Sequence, residues 1–353
     1  MKVPSVDTKQ LFDFVNNITD SISTAENVYK DFLRWSGLFI NDQGDGIHYS
    51  IANQILIYGY DNNARLVREE SEWNRMGATV IKPDQAIHVL KRQGEGYTDR
   101  VVYDISATNS QPLQLIDGRD WGSKCEAMMT ASPCRLEYDP LTANQRTNFI
   151  HKENVIKVGK GFQSYENIFE SLSQEYAHYY ISREMEKRHE RKFRDVQKNA
   201  ANEVGFRDAY YKFFEGKYYE LPPDAPIMQD SSGRLFILEK NDKGMQYKVH
   251  VEKRQTKINP GEVRIPDFTY SKAAYHYLTY AVSFCVCVKA GIDPDKFHFT
   301  YEKWKDKSFM EIRDDLDIIT ATANKILYDY HNQLIKQQNA VFTDTSYIES
   351  EVD

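Results

Sequence analysis

The 353-residue chain is short of several things, and each shortage closes off a class of protein. It holds four cysteines, Cys125, Cys134, Cys285 and Cys287, the last two inside an apolar segment that reads as helix. That is no disulfide framework of a small secreted domain. A structural zinc site on Cys125 and Cys134 would need two further ligands, so four free thiols are expected. Positive charge is also scarce: 45 Lys and Arg against 52 Asp and Glu leave a net charge of -7. This argues against nonspecific nucleic-acid binding over the whole surface, while leaving room for a local basic groove. Long apolar runs are missing too. The longest, Ala281 to Val288, is far below the roughly 20 residues a membrane helix needs. Met1 to Asp20 has neither the basic start nor the apolar centre of a leader peptide. A cytoplasmic protein with no membrane partner is expected.

What the chain does have is 41% hydrophobic, 27% charged and 13% aromatic residues, enough for two ordinary domains with cores. Helical spacing runs from Thr8 to Gly37 through Leu11, Val15, Ile18, Ile22, Phe32 and Leu33, and again from Ser50 to Tyr60. Ala78 to Ile81, Ala86 to Leu90 and Arg100 to Ile105 read as strands between Pro- and Gly-containing turns. The stretch 111–145 is rich in turn residues and reads as a surface connection. Beyond it come a strand at Val155 to Val158 and a long helix from Tyr165 to about Lys198. Three strands follow, at Arg234 to Glu239, Tyr247 to Glu252 and Glu262 to Ile265. Helices then run from Phe268 to Ala290 and, as one or two pieces, from Lys305 to Gln338.

Two groups of residues carry chemistry. Toward the N-terminus stand Tyr49-Ser50-x-x-Asn53-Gln54-x-Leu56-Ile57, then Trp73-x-x-x-Gly77, then Val102-Tyr103-Asp104-Ile105-Ser106-x-Thr108. Toward the C-terminus, Gln174-Glu175-x-x-His178 lies in the long predicted helix, and Ala290-Gly291-Ile292-Asp293 closes a later one. Together these resemble the ArdC type of antirestriction protein. That type has an N-terminal single-stranded-DNA-binding domain followed by a zincin-like metallopeptidase domain.

The N-terminal resemblance covers about 110 residues, with Ala107 where the family has glutamine. It implies binding of single-stranded DNA. Such binding needs cations along the phosphates and flat side chains for the bases. Arg65, Lys82, Lys91 and Arg92 are the candidate cations, Tyr49 and Trp73 the rings, and Asn53 and Gln54 the hydrogen-bonding groups. The same residues have a plainer use: Trp73 and Tyr103 suit core anchors, and Asn53 and Gln54 suit a bridge from helix to sheet.

In the second group the resemblance implies H-E-x-x-H, two imidazoles one helical turn apart on one zinc ion, with the glutamate as general base. Here the first histidine is Gln174, a poor ligand beside imidazole. The family's later carboxylate ligand would fall at or next to Tyr280, yet Tyr275 to Lys289 holds no Asp or Glu. Glu175 is therefore a vestigial catalytic position and His178 a doubtful ligand. His276, one turn before the lost carboxylate, is the best replacement, ahead of His151, His189 and His250. A hydrogen-bonded cluster of Glu170, Gln174 and His178, which share a helix face, is the alternative.

The expected protein is α+β. A small helix-plus-sheet N-terminal domain (1–110) leads through a connection (111–145) to a mainly helical zincin-like domain (146–340). That domain carries a β-containing insert at about 199–266, and an acidic tail (341–353) follows. By resemblance it belongs to a plasmid, phage or other mobile element. It would bind single-stranded DNA, with a host restriction or defence protein as a further partner. No cofactor is expected; zinc is the one the motif would admit. An active zinc peptidase with altered ligands, or a module that grips a host protein, are the competing readings.

Overall fold

The computed structural model describes residues 5–348 except 42–47, 140–146, 163, 203–205, 215, 223, 242–243, 258–266, 300–303 and 305. The chain forms two compact units. One comprises residues 1–184 and 270–353, the other residues 185–269. The architecture is α+β.

The first unit begins with α1 (Thr8–Thr24), whose Leu11, Val15, Thr19 and Ile22 form the buried stripe. Helical spacing continues to Gly37, but the helix breaks at Ala25, where the backbone is extended. The cause is local: Ser21, Ser23 and Thr24 turn their hydroxyls back onto the carbonyls of Asn17 and Asp20, competing with the helix ladder. The chain resumes as α2 (Glu26–Leu38) and then α3 (Ile51–Tyr60), capped by Ser50. β1 (Val67–Arg68), α4 (Glu70–Arg75), β2 (Ile87–Gln93) and β3 (Gly96–Asp104) follow, and the strands form an antiparallel sheet in the order β1-β3-β2. The strand expected at Ala78 to Ile81 is reduced to a single bridge, Val80 to Thr108.

The supposed connection is structured. It contains α5 (Trp121–Thr130), whose N-cap Asp120 accepts from Ser123, and β4 (Arg135–Asp139). β4 pairs in parallel with β6 (Val155–Gly159), and β5 (Thr147–Ile150) runs antiparallel on the other side of β6. Three helices complete the unit: α6 from Tyr165 through its first five turns, α7 (Lys272–Ala290) and α8 (Phe309–Ile348). α8 is one continuous element. The N-terminal helices pack within this unit: α2 lies on α7, and α1 and α3 touch α8.

α7 sets the packing. From Leu278 to Val288 every residue but Tyr280 is buried, so the helix is apolar on nearly all sides. α2 reaches it through Gly37, where an added Cβ would sit 2.5 Å from the Cys285 carbonyl oxygen. Gly291 closes α7 in the left-handed region, at φ 94°.

The second unit takes α6 onward to Asn202 and a five-stranded antiparallel sheet. Its strands are β7 (Phe206–Phe214), β8 (Lys217–Glu220), β9 (Met228–Gln229), β10 (Leu235–Lys240) and β11 (Gln246–Lys257), in the order β8-β7-β11-β10-β9. Ile237 and Val251 make one face its core face. The strand expected at Glu262 to Ile265 lies outside the described residues. Among the described residues no helix is long and apolar enough to cross a membrane.

Replacing a helical glycine by alanine normally stabilises. At Gly37 the backbone contact reverses the sign, so Gly37→Ala should lower stability by about 1–3 kcal/mol in urea denaturation. An unchanged or raised midpoint would show that α2 and α7 separate without cost.

Candidate functional site

The residues expected to face zinc meet between α6 and α7, and each is already engaged. Glu175 is buried on α6; its Oε2 accepts the Phe149 backbone N–H from β5 at 2.6 Å and the Lys272 ammonium at 2.6 Å. Lys272 stands in the first turn of α7 and also donates to Asn148 Oδ1 at 2.8 Å. The acid is thus held by a strand amide and neutralised by a side-chain cation.

His178, one turn on, is buried with Nδ1 2.7 Å from the Tyr270 hydroxyl and Nε2 3.4 Å from Thr279 Oγ1. Thr279 spends its own proton on the His276 carbonyl, at 3.0 Å. Nε2 of His178 must therefore carry a hydrogen and donate, which leaves the Nδ1 lone pair to accept from Tyr270. Burial, reinforced by the positive charge of Lys272, pushes the His178 pKa down to about 3. The same burial pushes the Tyr270 hydroxyl up, so it keeps its proton. Gln174, one turn before His178, places Nε2 3.4 Å from His276 Nδ1. Deeper in the seam, Ser173 and Ser283 share a hydrogen bond of 2.5 Å.

This set does not fit zinc. The one lone pair of the neutral His178 ring is capped by a phenol, the glutamate holds an ammonium, and the third position offers an amide. His276 does not restore a site: it faces Gln174, and no group of three His, Cys, Asp or Glu side chains among the described residues could hold a metal ion. His151 lies against Tyr270, with ring centres 5.6 Å apart. His189 packs on Phe193 and Phe268 in the second unit, and His250 is exposed on the sheet there. No step of metal-assisted hydrolysis is assigned to these residues. Lys272 and Tyr270 were not singled out in the sequence, because no motif marks a lysine that sits 97 positions from its partner.

The eight residues expected to contact DNA divide sharply. Tyr49 is buried and donates its hydroxyl to the Val67 carbonyl at 3.0 Å. Asn53 pairs with Leu90 of β2 like a strand residue, giving Nδ2 to its carbonyl at 2.9 Å and accepting its N–H at 2.8 Å. Gln54 donates to the Tyr49 carbonyl at 2.9 Å. The Trp73 ring is 1% exposed, and its Nε1 donates to the Tyr103 carbonyl at 2.9 Å. Arg65 turns its guanidinium onto the carbonyls of Asn62 and Ala64. Asp104 accepts the backbone N–H groups of Arg65, Leu66 and Ser106. Tyr49, Asn53, Gln54 and Trp73 thus engage polar atoms in holding the fold, and Arg65 spends one guanidinium nitrogen on backbone carbonyls. Lys82, Lys91 and Arg92 are exposed.

Fold and cluster define an α+β protein whose long helix carries a glutamate and a histidine locked into neutral and ion-paired contacts. No protein-family model and no curated protein matches the chain. Among solved structures it is similar to the antirestriction ArdC protein of plasmid R388 in its Mn(II)-bound form. Identity is 12% and the TM-score 0.42, over 92% of this chain and 97% of that one. It is also similar to the metal-free form of that protein, at 12% identity and a TM-score of 0.40, over 94% and 98% of the two chains.

Two outcomes follow for the cluster. Lys272 is partly exposed, so its loss is discounted for solvent screening: Lys272→Met should cost about 1–3 kcal/mol, and much of that should vanish in the Glu175→Gln background. A strictly additive double-mutant cycle would show that the two groups do not interact. The His178 ring binds its proton near pH 6.5 when unfolded and only near pH 3 when folded. Its contribution to stability is thus complete above pH 6.5 and is lost as pH falls toward 3, with a slope approaching about 1.4 kcal/mol per pH unit. Comparing His178→Gln with the parent chain from pH 7 to 4 isolates this slope. Equal slopes would contradict the assignment.

Proposed function

We propose that this chain is an antirestriction-type protein that occupies single-stranded DNA and opposes a host restriction or defence system without hydrolysing peptides. One observation carries the reading: charge and rings are gathered where an unpaired strand would use them. Residues 185–269 hold 17 Lys and Arg against 14 Asp and Glu, while the rest of the chain holds 28 against 38. The second unit is a basic island on an acidic protein.

Within that island, strand register places Tyr211, Phe213, Tyr218 and Phe236 on the sheet face opposite Ile237 and Val251, together with Lys248, His250 and Arg254. The Arg254 guanidinium lies 3.6 Å from the centre of the Tyr218 ring, and the Lys248 ammonium 4.4 Å from that of Phe236. A phosphate draws such a cation aside while a base takes its place on the ring. Glu252 and Glu220 on the same face are occupied by Arg254 and by the hydroxyls of Tyr218 and Tyr211. In the first unit, exposed Lys82, Lys91 and Arg92 add phosphate contacts. The cluster at Glu175 supports the non-hydrolytic half of the reading, since its base is neutralised by Lys272.

Titration of a labelled single-stranded oligonucleotide at two salt concentrations tests this. Affinity should fall steeply with salt, and Lys248→Glu with Tyr218→Ala should weaken binding by about tenfold or more. Lys91→Glu with Arg92→Glu should shallow the salt dependence. Salt-independent binding, or none, would overturn the proposal.

A further inference from the structure

The first unit holds a cavity of about 570 Å³, within the range of small-molecule sites. Its walls come from the end of α2, the segment 114–119, the last turn of α7 and one face of α8. Asn324, Tyr328 and His331 lie at i, i+4 and i+7 on α8 and so share that face.

The cavity has an unbalanced cation. Lys289 is half-buried and forms no ion pair or hydrogen bond among the described residues. Burial, and after it the Arg65 guanidinium, lowers its pKa. The acid in the wall does not answer it. Asp117 accepts the Arg119 backbone N–H at 2.8 Å and faces the Arg119 guanidinium at 3.5 Å. An ammonium held off from water without a counter-charge is costly unless an anion joins it.

His331 supplies the complement. Its Nδ1 lies 2.8 Å from the Leu327 carbonyl, which can only accept, so Nδ1 carries the hydrogen. Burial keeps the ring neutral and leaves Nε2 with a free lone pair, without a partner among the described residues. Tyr328, 52% exposed, offers a flat face at the rim.

We infer that this cavity binds a small anionic molecule bearing a ring, of the mononucleotide class, with its phosphate on Lys289, a donor group on His331 Nε2 and its ring on Tyr328. The site is independent of the sheet proposed to hold DNA. Calorimetric titration with deoxycytidine monophosphate, deoxycytidine and inorganic phosphate tests it on the full chain.

The monophosphate should bind saturably, and deoxycytidine about tenfold more weakly, because it lacks the charge that Lys289 meets. Lys289→Met should bring the monophosphate down to the level of deoxycytidine and leave deoxycytidine unchanged. His331→Phe should weaken both nucleosidic probes. Lys248→Glu should alter none of them, which separates this site from DNA binding. Inorganic phosphate binding as tightly as the monophosphate would overturn the ring-binding part. The site itself would be overturned by no saturable binding of any probe, or by Lys289→Met leaving the monophosphate affinity intact. Should Lys289→Met fail to fold, chemical-shift changes of the parent chain decide: the His331 and Tyr328 rings must respond saturably to the monophosphate, and no response of either would overturn the site.

Discussion

The seam between α6 and α7 is the constraint on which the rest depends. α7 carries no Asp or Glu and is buried along most of its length, so any polar atom that α6 turns toward it must find a neutral partner or an ammonium there. The partners are arranged along the seam: Lys272 on Glu175, His276 beside Gln174, Thr279 beside His178, Ser283 on Ser173. Each member leaves the next one a defined donor or acceptor. The same apolar helix obliges α2 to approach through Gly37, and its left-handed end at Gly291 meets the segment that walls the Lys289 cavity.

In this seam Lys272 holds Glu175 and Tyr270 caps His178. The consequence is chemical as well as structural. The Glu175 oxygen is taken up by an ammonium and a backbone N–H, and an imidazole whose lone pair faces a phenol is a poor ligand. The side chains at these positions hold α6 against α7.

Much of this was legible in the sequence. Periodicity located the long helices, and the spacing of Gln174, Glu175 and His178 pointed to the cluster between α6 and α7. The N-terminal signature was also visible, and the structure shows several of its residues holding the fold together. Tyr49, Asn53, Gln54, Trp73 and Asp104 tie α3 and the small sheet together through backbone groups. A recurring pattern of this kind marks a fold, and only the burial of each ring tells whether a base can reach it. Lys272 was hidden because an ion pair across 97 residues leaves no local pattern. α5 was passed over although Asp120 and Ser123 form a readable N-cap. β7 and β8 were obscured by their charges, although the rings of Tyr210, Tyr211, Phe213, Phe214, Tyr218 and Tyr219 favour strand.

The central claim is that the contacts of Lys272, Tyr270 and Gln174 leave Glu175 and His178 unable to hold a divalent metal. The most direct measurement is the zinc and manganese content of the protein purified without chelator, followed by titration with each ion. The account predicts a content far below one equivalent and no saturable binding that depends on His178. One equivalent of either metal, released by His178→Ala, would contradict it.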